Sequence, residues 1–178
     1  TVEKTALADA EVEYKDHTSS TIFTSFKVEK TTKNFLQDAH IIIWTTTPWT
    51  IPANRALAYG GKIKYSVIKI GNETENFKNK NIVVATELIS KVAESCNFKD
   101  FTVIKEFEGK EFEKTICSHP FKSMGYKYDV PMLEGSFVTL EQGTGIVHTA
   151  PSHGPDDFNL CLKTGIKATN TINDGGLY

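Results

Sequence analysis

Hydrophobic residues in this chain fall mostly into short alternating or unbroken runs, and helical spacing is the exception. Residues 62–70 alternate, which sets Ile63, Tyr65 and Val67 on one face, as a half-buried strand does. The run Ile41-Ile42-Ile43 is apolar at every position and predicts a buried strand over residues 40–44. Further strands are expected over residues 11–14, 20–28, 81–84, 101–105, 111–116, 137–140 and 145–149. Helical spacing occurs twice. Leu88, Ile89, Val92, Ala93 and Cys96 form an apolar stripe behind Thr86, a residue suited to cap a helix. A second helix is expected from Pro155, with Phe158, Cys161 and Leu162 on one face and Gly165 as its stop. This pattern predicts a mainly β fold, a β-barrel or strongly curved sheet with peripheral helices. Residues 72–81 are polar and read as an exposed hairpin tip, and residues 170–178 read as a loop leaving the domain.

The 178 residues suit a single domain, 1–178, with one core. The chain begins at Thr1 without a charged-then-apolar leader, and no apolar run approaches membrane-spanning length. We therefore expect no signal peptide and no membrane partner, and we expect the chain to be cut from something larger. The net charge is −2, and Arg55 is the sole arginine among 20 basic residues. No basic block stands out, so electrostatics alone predicts no nucleic-acid partner, although a local pocket can still hold a single-stranded end. Cys96, Cys117 and Cys161 are odd in number and widely spaced, which argues against a disulfide framework or zinc knuckle and for buried small hydrophobes.

Two stretches carry candidate chemistry. The first runs from Trp44 through Thr45, Thr46, Thr47, Pro48, Trp49 and Thr50 to Asn54 and Arg55. It follows the buried strand, and its prolines at 48 and 52 stop a regular element. Successive strand residues point to opposite faces, so a threonine run places hydroxyls on both sides, and each needs a partner. A plain strand end explains part of this, because threonine favours strands. A pocket that hydrogen-bonds a polar ligand or an ordered water explains it more fully. No histidine or lysine lies nearby in sequence to make a threonine a nucleophile.

The second stretch is Gly143 to Asp157: a glycine-flexed turn, a short strand ending at His148, a tight loop, and Asp156 and Asp157 opening a helix. First-turn carboxylates ordinarily complement the helix dipole or cap it. One of the pair is expected to cap and the other to be free for function, with Asp157 the functional candidate, ionised and suited to grip an ammonium. His148 reads as a base, a metal ligand, a steric wall or a plain core histidine, and a lone histidine is more often the last. His153 reads as structural. The spacing of His148, His153, Asp156 and Asp157 matches no metal motif, so no metal site is expected. The Gly143-Thr144-Gly145 turn is too short for a phosphate loop, and no ATP site is expected here.

Together these stretches resemble the editing domain of isoleucine–tRNA ligase, in its bacterial and organellar form. The first looks like the threonine-rich segment of that domain and the second like its other active-site segment. Residues 5–14 resemble the junction with the synthetic domain, and His119-Pro120-Phe121 resembles a further family segment. The leucine and valine relatives typically carry Thr-Thr-Arg-Pro at the first motif, and Thr47-Pro48-Trp49 replaces it here, which favours the isoleucine member. Ser152 stands where the bacterial pattern commonly has glycine.

The resemblance implies a domain of a larger class I synthetase that hydrolyses valine misattached to isoleucine tRNA and excludes isoleucine sterically. It implies that Asp157 binds the substrate ammonium and that His148 forms the excluding wall. Trp44, Thr45, Thr46, Thr47, Thr50 and Asn54 would line the pocket, hold the terminal adenosine and orient a water. Implied partners are the 3′ end of the misacylated tRNA and the synthetic domain of the same polypeptide. A monomer, in cytoplasm or organelle, is expected. No cofactor is implied for this domain, whereas the parent enzyme uses ATP with magnesium. The catalytic motifs and zinc cysteines of the synthetic domain do not occur in this sequence. Two other readings stand beside this one: a non-catalytic aminoacyl- or adenosine-binding module, and a metal-dependent hydrolase using His148 and Asp157.

Overall fold

Ile41, Ile42 and Ile43 are all buried, so the strand that carries them is covered on both faces. In the computed structural model, which describes residues 13–16, 18–74, 77–175 and 177, that strand is β2 (His40–Thr45). The others are β1 (Ile22–Lys30), β3 (Ala56–Tyr59), β4 (Lys64–Ile70), β5 (Asn81–Ala85), β6 (Phe101–Glu108), β7 (Ile116–Ser118), β8 (Asp129–Glu134) and β9 (Ile146–Thr149). They form a nine-stranded sheet in the order β6-β4-β5-β2-β1-β7-β8-β3-β9. β2 pairs parallel with β5 and β3 parallel with β8, and the other pairings are antiparallel. Two α-helices, α1 (Ile89–Ser95) and α2 (Pro155–Lys163), flank it.

The mainly β class with peripheral helices is borne out. The sheet, however, is curled and not closed: among the described residues, β6 and β9 remain its edges. What brings the two ends together is a handful of polar ties. The Tyr65 hydroxyl on β4 accepts from the Gly60 N–H at 2.9 Å and donates to the Gly145 carbonyl at 2.7 Å. The Ala85 N–H at the end of β5 donates to the Thr144 carbonyl at 2.8 Å. Gly145 sits at φ +74°, and a Cβ there would lie 2.4 Å from that of Ala85, so only glycine permits this approach. Inside the curl, Tyr59, Tyr65, Phe107 and Phe112 pack edge-on or tilted, with ring centroids 4.9–6.0 Å apart.

The sequence expectations fail at identifiable places. β4 is buried over Tyr65–Ile68, with Tyr65 packed into the aromatic cluster and Ser66, on the opposite face, against Thr86; it is not a half-buried strand. The strand expected over residues 111–116 begins only at Ile116, after a 3-10 turn at Gly109–Phe112. No strand forms over residues 137–140, which turn and bend instead. β3 and β8 were not expected. β3 is short and apolar at each position, so it lacks alternation, and β8 contains Pro131, which reads against a strand. Thr86 does not cap α1; it opens a 3-10 turn, and its hydroxyl meets Ser66 Oγ at 2.9 Å. In α2 the inward row is Asp157 and Cys161, while Phe158 and Leu162 are 44% and 64% exposed. Gly165, at φ +76°, ends α2 as expected. Glu13 and Tyr14 are described and lie outside any strand; the rest of the 5–14 junction segment lies outside the described residues.

Candidate active site

The end of β2 delivers the threonine run to one mouth of the curled sheet. Pro48 then starts a 3-10 turn, Pro48–Ala53, that reverses the chain. His119 fixes this turn from behind, with Nε2 donating to the Ile51 carbonyl at 2.9 Å and Nδ1 accepting from the Phe121 N–H at 3.1 Å. β3 leaves the turn and pairs with β9 so that Leu57 lies opposite His148. The two informative stretches, about a hundred residues apart in sequence, thus become neighbours.

Between them lies a cavity of about 480 Å³, within the usual range for a small-molecule site. Trp44, Thr45, Thr46, Thr47 and Thr50 line one side, and His148 and Asp157 line the other. Asn54 is the exception among the expected site residues: it is fully buried and lies behind His148, outside the cavity lining. Sequence reasoning missed Phe137, Thr139 and Gln142, which also line the cavity because residues 137–142 form a loop and no strand. It assigned Trp49 no contact, yet Trp49 lines the mouth and is 55% exposed. His153, read as structural, also lines the cavity; its Nε2 lies 3.1 Å from Thr171 Oγ1.

The threonine hydroxyls largely satisfy one another. Thr45 Oγ1 accepts from the Thr47 N–H at 3.1 Å and lies 3.3 Å from Thr47 Oγ1. Thr50 Oγ1 donates to the Thr47 carbonyl at 2.8 Å and lies 3.4 Å from Thr47 Oγ1. Thr46 alone of these threonines is exposed. The expected conflict of hydroxyls on both faces is therefore relieved by the 3-10 turn, which folds Thr50 back toward Thr47.

Both nitrogens of His148 are engaged. Nε2 lies 3.0 Å from Thr50 Oγ1, and Nδ1 lies 2.7 Å from Asn54 Nδ2. Burial, with further contributions from His119 and His153, pushes its pKa down to about 4, so the ring is neutral at physiological pH. Both ring nitrogens of His148 are thus taken up by hydrogen bonds within the protein. His148 lines the cavity as an uncharged ring. Among the described residues no group of three or more His, Cys, Asp or Glu side chains could hold a metal.

Neither aspartate caps α2: Gly154 occupies the N-cap without a side-chain bond, and Asp156 is exposed. Asp157 reaches back across the loop, and its Oδ2 accepts from the Ala150 N–H at 2.8 Å. Burial raises its pKa, and the Ala150 bond works in the opposite direction. Asp157 also lines the cavity.

No protein-family model matches the chain. Curated relatives do. The isoleucine–tRNA ligase of Pelagibacter ubique is 62% identical over 178 residues, covering 100% of this chain and 20% of that protein. That of Gluconobacter oxydans is 45% identical over 182 residues, covering 99% of this chain and 19% of that protein. The chain spans about a fifth of the length of these relatives. Among solved structures, GlLeuRS-CP1 aligns with a TM-score of 0.63 at 17% identity, over 83% of this chain and 65% of that one. The editing domain of the P. knowlesi cytosolic leucyl-tRNA synthetase aligns with a TM-score of 0.60 at 14% identity, over 84% of this chain and 66% of that one. The resemblance read from the two motifs is borne out: in sequence the chain matches isoleucine–tRNA ligases along its whole length, and its architecture is that of an aminoacyl-tRNA synthetase editing domain.

Proposed function

We propose that this chain, an isoleucine–tRNA ligase segment with a synthetase editing fold, hydrolyses the ester that joins valine to isoleucine tRNA. The observation that carries the reading is the convergence of the threonine run, neutral His148 and Asp157 on one cavity. The need for such a site is physical. A pocket built for isoleucine rejects valine, one methylene smaller, by only about 1–3 kcal/mol. Isoleucine–tRNA ligase is itself the standard illustration of that limit, and the figure is the general one for a methylene. A second, smaller cavity inverts the test, because a wall that valine clears is struck by isoleucine.

Asp157 takes the substrate ammonium with its second carboxylate oxygen, at a position where burial strengthens the ion pair. His148 is the wall, and its neutrality spares the ammonium a like charge. Thr45, Thr47 and Thr50 hold a water against the ester carbonyl, while Trp44 and Thr46 at the rim hold the terminal adenosine. The water oxygen bonds to the carbonyl carbon, the bond to the ribose oxygen breaks, and that oxygen leaves with a proton. The cavity offers no free imidazole as base, so alignment and the polar surroundings supply the rate. In the longer protein, the remaining four-fifths would join isoleucine to its tRNA using ATP and magnesium, and would bind most of that tRNA. Among the described residues no helix is long and apolar enough to cross a membrane.

The test is incubation of the chain with valyl-tRNA charged on isoleucine tRNA, with and without chelator. Chelator-insensitive release of valine is expected. Release that chelator abolishes would identify a metal-dependent hydrolase, and binding without release would identify a non-catalytic module. Because most of the tRNA contacts lie elsewhere, absence of release is repeated with a protein that spans the full length of the relatives.

A further inference from the structure

Asn54 is fully buried, and its amide has one permitted sense. Nδ2 donates to the Ala56 carbonyl at 2.9 Å and has the Thr149 carbonyl on the same side at 3.5 Å. Flipping the amide would set Oδ1 against both carbonyl oxygens. The amide nitrogen therefore faces His148 as well, and its second hydrogen points at Nδ1, 2.7 Å away. A nitrogen that receives a hydrogen carries none, so Nδ1 is the acceptor and Nε2 holds the ring's single proton. Nε2–H then donates to Thr50 Oγ1 at 3.0 Å, and the Thr50 hydroxyl proton goes to the Thr47 carbonyl at 2.8 Å. Every hydrogen in the relay is assigned, and all run in one direction.

This order has a price in the fold. Asn54 Oδ1 is buried without a partner, a penalty usually avoided. It also has a consequence in the cavity: with its own proton committed, Thr50 meets a ligand only through an oxygen lone pair. Thr50 can accept from a water or an ammonium and cannot donate to the ester carbonyl.

We propose that Asn54 is a positioning residue that sets the tautomer of His148 and, through it, the hydrogen-bonding sense of Thr50. The role in turnover rests on the editing reading above; the tautomer does not. Asn54 touches neither the cavity nor a ligand within it. Its effect reaches the reaction solely through the ring between them, which makes the two residues one functional unit.

Nitrogen NMR of the histidine-labelled chain at neutral pH reads the tautomer directly. The wild type is expected to show His148 protonated at Nε2 and bare at Nδ1. In Asn54→Ala, Nδ1 loses its fixed donor, and a mixture of tautomers is expected. Steady-state hydrolysis of valyl-tRNA in the same variant is expected to show kcat lower by about tenfold with KM nearly unchanged. A double-mutant cycle completes the test: in a His148→Ala background, adding Asn54→Ala is expected to lower kcat no further. A wild-type ring protonated at Nδ1 would overturn the proposal, even if no variant folds. So would a tautomer that survives Asn54→Ala, or additive losses in the cycle. If neither the wild-type chain nor a protein spanning the full length of the relatives releases valine, the editing reading fails while the tautomer measurement still decides the relay.

Discussion

Acidification from pH 7 to pH 4 is expected to remove about 3 kcal/mol of stability through His148 alone. In the unfolded chain this histidine takes up a proton near its ordinary 6.5, whereas burial holds the folded ring near 4. Between those values the unfolded state binds a proton that the folded state refuses, so stability present at neutral pH is lost as the pH falls through the window. The gap, at about 1.4 kcal/mol per pH decade, gives about 3 kcal/mol at pH 4. His148 is 8% exposed, so solvent screening does little to reduce this. Burial also lowers the pKa of His40 and His119, which adds losses of the same sign, and raises that of Asp157, which offsets them in part. Comparison with His148→Gln isolates the one group, since glutamine keeps a donor and an acceptor without titrating. Urea unfolding of both proteins at pH 7 and pH 4 measures it. The wild type should lose about 3 kcal/mol more than the variant. Equal losses would show that His148 titrates normally and would refute the neutral, locked ring.

Asp157→Ala should lower kcat/KM for valyl-tRNA by roughly 10- to 100-fold, the worth of a hydrogen bond to a charged group; unchanged hydrolysis would dismiss the ammonium role. His148→Ala should make the site hydrolyse correctly charged isoleucyl-tRNA, measured as release of isoleucine, and continued sparing of that substrate would show that the wall lies elsewhere. Gly145→Ala combines a left-handed backbone with a 2.4 Å approach to Ala85, and should cost about 2–4 kcal/mol in denaturant unfolding; a loss under 1 kcal/mol would mean that the sheet relaxes at this contact.

The site was more legible in the sequence than the fold around it. The threonine run, His148 and Asp157 stood out because their residue types are expensive to bury without partners, and that expense is local information. Asn54 was legible as a site residue and misplaced by one layer: nothing in the order of residues says that the 3-10 turn at Pro48–Ala53 carries it behind His148. Phe137 and Thr139 were invisible because residues 137–140 read as a strand yet turn and bend, and Gln142, in the same loop, carries no signal of its own. β3 was missed for a tertiary reason. Its four residues are buried on every side, so no polar face marks it. Phe158 and Leu162 misled in the opposite sense: they are apolar and spaced for a helix face, yet the helix turns its Asp157–Cys161 row inward and leaves them to solvent.

A steric filter works only as well as its wall resists being pushed, and this requirement connects the relay to the curled sheet. A histidine free to change rotamer would yield to one extra methylene for about the energy of an off-rotamer side chain, roughly 0.5–1.5 kcal/mol, and the filter would leak. Here the ring is clamped at both nitrogens, by Thr50 on one side and Asn54 on the other. Its backbone is fixed by the β3–β9 ladder at Leu57. Thr50 is held in turn by the Thr47 carbonyl, and the turn beneath it by His119. To move the wall, a ligand must break hydrogen bonds whose partners would be left buried and unpaired, at about 1–3 kcal/mol each. If the cavity edits as proposed, the same bonds that commit every proton in the relay would also give the wall its stiffness, and chemistry and selectivity would both depend on one buried amide outside the cavity lining.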